Sequence, residues 1–254
     1  MRAIEELKEK LKNRENILSS MICDVGYTSL PNLYKECGVD FLILDLEHGS
    51  FFPENIGDFM YLCNLIDIPA IIRVQDCEYY HISKPLDMGA DGILIPRTET
   101  MEQVEIAINS MRIHPKGKKG IGGRALIHAG ETVEDINKNR LLFLQIESKQ
   151  GIDLLDEILT KYSDEVAGII IGPCDLSVSL GCGLEQDKNP KVVACIDETI
   201  AICKKHNKSV GMFMAEAEKK WYDRGMNIFW AATEEILLIQ ALTRIKEQMD
   251  SFEK

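Results

Sequence analysis

The sequence predicts an α/β protein, a single (β/α)8 TIM barrel of parallel strands with an N-terminal helix. Eight short apolar segments rich in β-branched residues recur along the 254 residues, with helical or polar stretches between them. Their mean spacing of about 30 residues is the length of one β–α unit. Eight such units favour a closed barrel over an open doubly wound sheet, and no G-x-G-x-x-G turn follows the first strand. We expect one domain spanning residues 1–254.

The elements can be assigned in chain order. Ile4, Leu7 and Leu11 lie three to four residues apart among charges, which predicts a short amphipathic helix and not the unbroken apolar stretch of a signal peptide. The helix before the seventh strand opens with Asn189 as N-cap and Pro190 at its first position. The predicted strands cover residues 17–23, 41–48, 70–74, 92–97, 141–148, 166–173, 209–214 and 228–234.

Two connections are long and rich in glycine and charge, residues 113–130 and 174–190. We interpret both as loops that follow strands. Both are therefore expected over the C-terminal face of the barrel, where such barrels carry their active sites.

Composition and charge exclude several classes of function. Lys and Arg number 29 against 41 Asp and Glu, and the formal net charge of −12 would repel nucleic acid and anionic lipid. No apolar run approaches the ~18 residues that cross a bilayer. The 8 cysteines show no Cys-x-x-Cys spacing, so zinc ribbons and thioredoxin-type sites have no support. These features predict a cytoplasmic protein that acts on a small molecule, with no nucleic acid or membrane as partner.

Polar residues at the ends of the predicted strands are informative, because each needs either a function or a hydrogen-bonded partner. Glu147 and Asp175 end adjacent strands ~5 Å apart, so their carboxylates could converge on one hard cation, or each could cap the helix that follows. With no Cys or His pair nearby, oxygen ligation favours Mg²⁺ or Mn²⁺ over Zn²⁺. The polar strand ends are Asp45, Glu47, His48, Arg73, Gln145, Glu147 and the turn Gly172, Pro173, Cys174 and Asp175.

Two of these side chains allow either a catalytic or a structural interpretation. His48 suits a general base, because an imidazole exchanges protons near neutral pH, but it could equally be an exposed strand-end residue. Alternation places it on the face opposite Asp45 and Glu47 unless the strand turns at Gly49. Arg73 ends an otherwise apolar strand, so it either pairs with a barrel carboxylate or awaits an anionic substrate oxygen.

Taken together, these motifs resemble the HpcH/HpaI family of metal-dependent pyruvate aldolases, which includes 2,4-dihydroxyhept-2-ene-1,7-dioate and 2-dehydro-3-deoxyglucarate aldolases. The resemblance extends from about residue 17 to 240 and implies a class II aldolase. Such an enzyme reversibly cleaves a 4-hydroxy-2-oxo acid to pyruvate and an aldehyde through a metal-stabilised pyruvate enolate. The matching motifs are DLEHG at 45–49, IIRV at 71–74, PLDMGADGILIP at 85–96, QIES at 145–148 and IGPCDLSVSLG at 171–181.

The resemblance also implies roles for individual residues. Glu147 and Asp175 would hold the divalent ion, Mg²⁺ first and Mn²⁺ or Co²⁺ as alternatives. Arg73 would add positive charge at the enolate oxygen, and His48 would remove the hydroxyl proton in the retro-aldol direction. The pyruvyl group would be positioned by Gln145, Gly172, Pro173, Cys174 and Asp175.

The resemblance further assigns Asp87 the task of raising the basicity of His48. Asp87 precedes the fourth strand, so it should lie near the bottom of its own barrel, far from a His48 at the top. A neighbouring subunit could supply it, in keeping with the homo-oligomers of this family, hexamers among them. Asp45 is the local alternative.

Departures from the family pattern concern the acceptor side of the site. Arg97 stands where relatives usually carry an apolar residue, and Lys119 replaces the usual arginine of the loop at 117–123. A guanidinium at the position of Arg97 suits a carboxylate at the far end of the aldehyde, or it pairs with Glu99 or a loop acid.

Three other functions remain as alternatives. Lys149 could form an imine with the substrate, as in Schiff-base aldolases or another carbon–carbon lyase acting on a 2-oxo acid. A sugar-phosphate isomerase or epimerase is disfavoured, because no glycine-rich phosphate turn follows the last two strands. A non-catalytic barrel would leave the polar strand ends unexplained.

Overall fold

The eight predicted strands are all present and close into one barrel. The computed structural model describes residues 2–27, 29–52, 56–214 and 217–252. Each strand pairs in parallel with the next, and the last pairs with the first, which confirms the predicted (β/α)8 fold. The strands are β1 (Ile17–Ile22), β2 (Phe41–Asp45), β3 (Ala70–Arg73), β4 (Gly92–Ile95), β5 (Leu141–Ile146), β6 (Val166–Ile171), β7 (Ser209–Met214) and β8 (Ile228–Ala231).

Helices connect the strands around the outside. Asn189 caps the helix before β7, where its side chain accepts the Lys191 N–H at 2.9 Å, and Pro190 is the first helical residue as predicted. Within the described ranges no helix is long and apolar enough to cross a bilayer. The helices are α1 (Ala3–Asn13), α2 (Leu30–Glu36), α3 (Gly57–Ile66), α4 (Tyr79–Asp87), α5 (Met101–Met111), α6 (Val133–Asn139), α7 (Lys149–Tyr162), α8 (Pro173–Ser179), α9 (Pro190–Lys205), α10 (Lys219–Arg224) and α11 (Glu234–Ser251), with a short 3₁₀ helix at Gln186–Lys188.

Helix α1 closes the N-terminal end of the barrel. Ile4, Leu7 and Leu11 are buried among side chains that fill the barrel interior, including Ile17 and Phe41. Burial of each such aliphatic side chain contributes roughly 1.5–3 kcal/mol. Because this end is sealed, only the C-terminal end of the barrel is left open to substrate.

Strand register brings the predicted site residues together. Asp45 and Arg73 are direct partners in the pairing of β2 with β3. Gln145 is paired with Ile170 and Ile146 with Ile171, so the residues that follow β5 and β6 emerge side by side. The polar ends of four strands therefore meet on one rim.

The connection at 113–130 does not lie where the sequence suggested. It follows α5 and leads through α6 to β5, so it starts at the N-terminal end of the barrel and not after a strand. Its residues touch the segments that lead into β4 and β5: Lys119 bonds Asp87, and Arg140 bonds the Leu126 carbonyl. The expectation that this loop covers the C-terminal face was therefore wrong. The connection at 174–190 does begin there, because it follows β6.

Candidate active site

A buried ion pair forms the floor of the site. Asp45 at the end of β2 receives two hydrogen bonds from Arg73, Nε to Oδ1 at 2.8 Å and Nη2 to Oδ2 at 2.6 Å. Burial alone would raise the pKa of Asp45, but the Arg73 hydrogen bonds and charge outweigh it, so this pKa lies below its usual range. Of the two interpretations left open for Arg73, the carboxylate pair is present. The pair fixes the guanidinium and leaves Nη1 as its other donor group.

Glu47 connects three cationic or titratable side chains, although sequence reasoning gave it no role. Its carboxylate lies 3.2 Å from Arg97 Nε, 3.4 Å from Arg73 Nη1 and 3.9 Å from His48 Nε2. Burial raises the pKa of Glu47 despite the positive charges around it. Its position two residues after Asp45, just beyond the end of β2, was the available signal, because the two-residue period of a strand predicts that both acids point inwards.

His48 stands at the rim with its side chain 69% exposed. Its imidazole is next to Glu47, whereas both carboxylate oxygens of Asp45 are held by Arg73. A substrate can therefore reach His48 from solvent. In the part of the chain that the structure describes, no other carboxylate lies within ion-pair distance of this ring.

Glu147, which follows β5, is the most strongly desolvated acid of the site. Its Oε2 accepts a hydrogen bond from Gln145 Nε2 at 2.7 Å, and its Oε1 accepts the backbone N–H of Arg97 at 2.7 Å. A Cβ at position 172 would fall 2.3 Å from Glu147 Oε2, so only glycine leaves room for the carboxylate. Burial raises the pKa of Glu147 to about 7, and the charges of Asp175 and Glu47 add to this effect.

The turn after β6 holds the second acid. Gly172 is the N-cap of α8 and donates its N–H to the Ile146 carbonyl at 3.1 Å, and Pro173 is the first helical residue. Asp175 is exposed and makes no hydrogen bond or ion pair with any other described residue. Burial, with Asp175 and Glu147 nearby, raises the pKa of the Cys174 thiol, so it stays neutral beside the two acids.

The donor set fits a hard divalent cation. Glu147 and Asp175 are close enough for their charges to interact, and Gln145 Oε1 is buried with no hydrogen-bond partner in the described structure. Carboxylate and amide oxygens are the ligands that Mg²⁺ and Mn²⁺ prefer. No cluster of three or more His, Cys, Asp or Glu forms a ligand set anywhere in the described ranges. A bound cation would therefore rely on these oxygens and on substrate.

The burial of Glu147 leads to a stability prediction. Its pKa is raised to about 7 from an ordinary 4.5, so below pH ~4.5 the group is protonated in both the folded and the unfolded chain and does not change the free energy of unfolding with pH. As pH rises from about 4.5 through 7, the free energy of unfolding falls, because the folded state disfavours the ionised carboxylate. In the presence of a chelator, Glu147→Gln should therefore raise the free energy of unfolding at pH 8 by on the order of 3 kcal/mol. At pH 4.5 the gain should vanish. Denaturant unfolding at the two pH values measures this, and an equal effect at both would mean that burial does not penalise the carboxylate.

Arg97 contributes both backbone and side chain to the site. It adopts a φ of 47°, which is uncommon for a non-glycine residue. This turn directs its N–H to Glu147, while its guanidinium pairs with Glu47 and donates from Nη2 to the Gln75 carbonyl at 2.9 Å. The side chain is 55% exposed at the rim. Its acidic partner is thus Glu47 and not Glu99.

Two residues that the sequence drew attention to lie outside this cluster. Asp87 ends α4 at the opposite end of the barrel, where Lys119 Nζ bonds it at 2.6 Å. Lys149 is the first residue of α7, and hydrogen bonds from its exposed ammonium to Asp153 and Glu198 raise its pKa to about 12. A charged amine in such surroundings is a poor nucleophile for imine formation.

Aromatic side chains of the last two strands complete the inside of the barrel, a feature that the sequence analysis missed. Phe213 of β7 and Trp230 of β8 pack edge to face with ring centroids 5.6 Å apart. The Trp230 indole N–H is buried and has no partner in the described structure. Alternating positions on these strands were the signal that would have placed both rings inside.

A closed parallel barrel whose open rim gathers two neighbouring acids, a buried arginine and an exposed imidazole belongs to the class of (β/α)8 enzymes. The profile of the HpcH/HpaI aldolase/citrate lyase family matches residues 30–240. The chain belongs to this family. It is therefore a carbon–carbon lyase of the aldolase type that acts on small molecules.

Individual relatives agree with this assignment. The hydroxypyruvate/pyruvate aldolase of Roseobacter denitrificans is 36% identical over 221 residues, which are 84% of each chain. The 5-keto-4-deoxy-D-glucarate aldolase of Escherichia coli K12 is 34% identical over 205 residues, 77% of this chain and 75% of the relative. The crystal structure of an HpcH/HpaI aldolase from Desulfitobacterium hafniense superimposes with a TM-score of 0.84 at 25% identity and covers 95% of both chains.

Proposed function

We propose that the protein is a divalent-metal-dependent aldolase that reversibly cleaves a 4-hydroxy-2-oxo acid to pyruvate and an aldehyde. The observation that carries this proposal is the buried Glu147 carboxylate beside Asp175, with the unpartnered Gln145 oxygen next to it. A buried carboxylate such as that of Glu147 is stabilised when a cation neutralises its charge. The names of the aldolase relatives support the same reaction class.

Glu147 and Asp175 would hold the ion, Mg²⁺ first and Mn²⁺ or Co²⁺ as alternatives. When bound, such an ion supplies Lewis-acid charge for the carboxylate and keto oxygens of the substrate. Binding of the pyruvyl group, stabilisation of negative charge and proton transfer would be carried out by residues of the protein. Gln145 and the turn at 172–175 shape the space for the pyruvyl group, because they form the wall around Glu147.

Arg73 would stabilise the negative charge that develops on the keto oxygen during C–C cleavage. Its Nε and Nη2 are anchored on Asp45 and its Nη1 lies 3.4 Å from Glu47, so the guanidinium is held in place before substrate binds. His48 would remove the hydroxyl proton in the retro-aldol direction, since it lies exposed on the same rim. Asp45 thus acts by holding Arg73, while Asp87 would serve His48 from a neighbouring subunit.

The proposed function is tested with purified protein, pyruvate and a panel of aldehydes under several divalent ions. EDTA should abolish turnover, and Mg²⁺, Mn²⁺ or Co²⁺ should restore it. Borohydride with pyruvate should leave activity intact, because no lysine imine forms. Turnover that resists EDTA but is lost with borohydride would replace the metal mechanism by a lysine mechanism, and no turnover under any ion would favour a non-catalytic barrel.

We also propose that the chain works as a homo-oligomer, with a hexamer among the possible forms. Helix α11 buries only Glu234 against its own barrel and carries an exposed apolar stripe. A separate cavity of about 510 Å³ is lined by Leu18 and Phe229 on the outer face of β1 and β8 and by Tyr222 of α10. An exposed apolar stripe of this kind marks an interface, for which a second copy is the proposed partner. The stripe consists of Leu238, Ile239, Leu242, Ile245 and Met249.

Charges placed on this stripe should dissociate the oligomer. The double substitution Ile239→Asp and Leu242→Asp should shift the mass measured by light scattering towards a single chain, because a buried unpaired carboxylate is costly. Arg244→Asp on the opposite face of α11 is the matched control and should leave the mass unchanged. A wild-type protein that is already monomeric would contradict the proposal.

The rim position of Arg97 leads to a prediction on acceptor choice. With Nε held by Glu47 and Nη2 on Gln75, the rest of the guanidinium is free to bind a carboxylate at the far end of the aldehyde. Arg97→Met should lower kcat/KM for acidic aldehydes by ~10-fold or more, about 1.4 kcal/mol, and scarcely affect neutral ones. Equal losses would indicate general damage to the rim, and no loss would leave Arg97 as a surface ion-pair residue.

A further inference from the structure

Glu234 is a buried carboxylate that binds three successive backbone N–H groups of another segment. It is the first residue of α11 and only 9% exposed. Its Oε1 accepts the N–H groups of Cys23, Asp24 and Val25 at 3.0, 2.6 and 2.8 Å, and its Oε2 also lies 3.0 Å from the Cys23 nitrogen. Consecutive N–H groups of this kind form a nest that binds an anion. Glu234 therefore ties α11 to the loop that follows β1 (residues 23–26, the β1 loop).

The β1 loop packs against the turn that follows His48. The Cys23 carbonyl accepts the Ser50 N–H at 2.9 Å. A Cβ at position 49 would lie 2.6 Å from that carbonyl oxygen and 2.5 Å from the Asp45 carbonyl oxygen. A Cβ at position 26 would lie 2.7 Å from Cε1 of the buried Phe51 ring. The three residues after His48 are therefore pressed against the β1 loop, and neither glycine leaves room for a side chain.

The backbone on both sides of His48 is thus anchored, whereas its ring is not. On one side, Glu47 donates its N–H to Asp45 Oδ1 at 3.0 Å. The imidazole is 69% exposed and 3.9 Å from the Glu47 carboxylate. An exposed ring is placed mainly by its backbone, so the contacts at 49–51 decide where the imidazole stands. A displacement of about 1 Å can cost a catalytic group on the order of 10²-fold in rate.

We propose that Glu234 is a positioning residue that sets the place of His48 through the β1 loop. This inference rests on the proposed function, in which His48 moves the hydroxyl proton. Glu234 fixes three N–H groups of the β1 loop, and this loop holds the turn that continues from His48. Glu234 acts only through these backbone contacts and would touch no substrate.

Variants of Glu234 test this role in the full-length protein. Glu234→Ala should lower kcat by ~10- to 100-fold, because His48 loses its fixed position. The KM for pyruvate should stay within about two-fold, since the residues proposed to bind pyruvate lie on β5 and α8. Glu234→Gln keeps an oxygen that can accept all three N–H groups, so its kcat should stay within about three-fold of wild type. Glu234→Asp withdraws the oxygens from the β1 loop; it should also lose kcat and replaces Glu234→Ala if that variant does not fold.

A double-mutant cycle with His48 separates positioning from general damage. In the His48→Ala background, Glu234→Ala should cause no further loss. A loss of the same size there would mean that the effect passes through another group, such as Asp45, to whose Oδ2 the Cys23 thiol donates at 3.8 Å, and would refute the inference. Glu247→Ala is the matched control, because it removes an exposed carboxylate from the same helix and should leave kcat unchanged. An unchanged kcat in Glu234→Ala, or an equal loss in Glu247→Ala, would overturn the inference.

Hydrogen exchange of the backbone amides tests the link without turnover. In Glu234→Ala the Ser50 amide should exchange several-fold faster, together with those of Cys23, Asp24 and Val25, because its acceptor belongs to the released loop. Faster exchange at 23–25 with Ser50 unchanged would show that the β1 loop does not control the turn, and would refute the inference. A wild-type protein without aldol activity but with this Ser50 response would instead reject the proposed function and keep the link from Glu234 to the turn.

Discussion

Replacing Glu147 by alanine should lower metal-dependent aldol turnover by about 10³-fold or more while leaving the barrel folded. The carboxylate is one of only two acids at the candidate cation site in the described structure, and the charge that a metal ion supplies is worth several kcal/mol in the transition state. Removing it also deletes the acceptor of the Gln145 amide and the Arg97 N–H. Asp175→Ala should cause a loss of the same order. Steady-state kinetics under saturating Mg²⁺ and Mn²⁺ measure both effects.

The matched control for these variants is Asp153→Ala, which removes an exposed carboxylate whose side chain pairs with Lys149 outside the site. Its kinetics and metal dependence should equal those of the wild type. Circular dichroism should show the same helix content in all variants, because Glu147 and Asp175 follow strands and do not fill the apolar core. Full activity of Glu147→Ala with unchanged metal dependence would show that the cation site lies elsewhere.

The strand-end residues could be placed from the sequence because strand boundaries and alternation decide which side chains reach the rim. Asp45 and Arg73 follow from the ends of β2 and β3, and their direct pairing in the parallel register explains their ion pair. Gln145 lies on β5 and Glu147 directly follows it, so the two-residue period predicts that both side chains point the same way, in agreement with their hydrogen bond. The (β/α)8 fold was predictable because each β–α unit repeats the same pattern, a short apolar strand followed by a helical or polar stretch.

Contacts that depend on an unusual backbone conformation could not be predicted in this way. Arg97 was expected to meet Glu99, a loop acid or a distal carboxylate of the substrate, and its left-handed φ accompanies a guanidinium paired with Glu47, just beyond β2, and an N–H donated to Glu147. Few non-glycine residues adopt this conformation, and nothing in the local sequence marks it. Glu47 was given no role although its alternation with Asp45 was visible in the sequence, because its ion pairs with Arg73 and Arg97 appear only in the folded structure.

The placement of the 113–130 connection was wrong for a topological reason. The helical segment before it was visible in the sequence, and α5 has 11 residues. At about 1.5 Å per residue it runs roughly 16 Å back along the barrel, so the chain has returned to the N-terminal end before the loop begins. The contact between Lys119 and Asp87 follows directly from this position.

Replacing His48 by alanine should lower the aldol rate by roughly 10² to 10⁴, the usual contribution of a positioned acid or base. The imidazole is 69% exposed and lies no closer than 3.9 Å to its acidic neighbour Glu47, so its loss should not affect folding. Pyruvate should still bind, because the residues proposed to position it lie on β5 and α8. Proton exchange at the pyruvate methyl group need not fall in parallel, since that step can use another base or water.

Retro-aldol kinetics, pyruvate binding by calorimetry and deuterium exchange of the pyruvate methyl group by NMR separate these steps for His48→Ala. His114→Ala removes an exposed histidine at the opposite end of the barrel and should behave as wild type in all three measurements. A loss confined to aldol turnover assigns the hydroxyl proton to His48. Turnover within a few-fold of wild type would leave His48 as a structural strand-end residue, and a parallel loss of pyruvate binding would mean that the substitution disturbs the rim around Glu47.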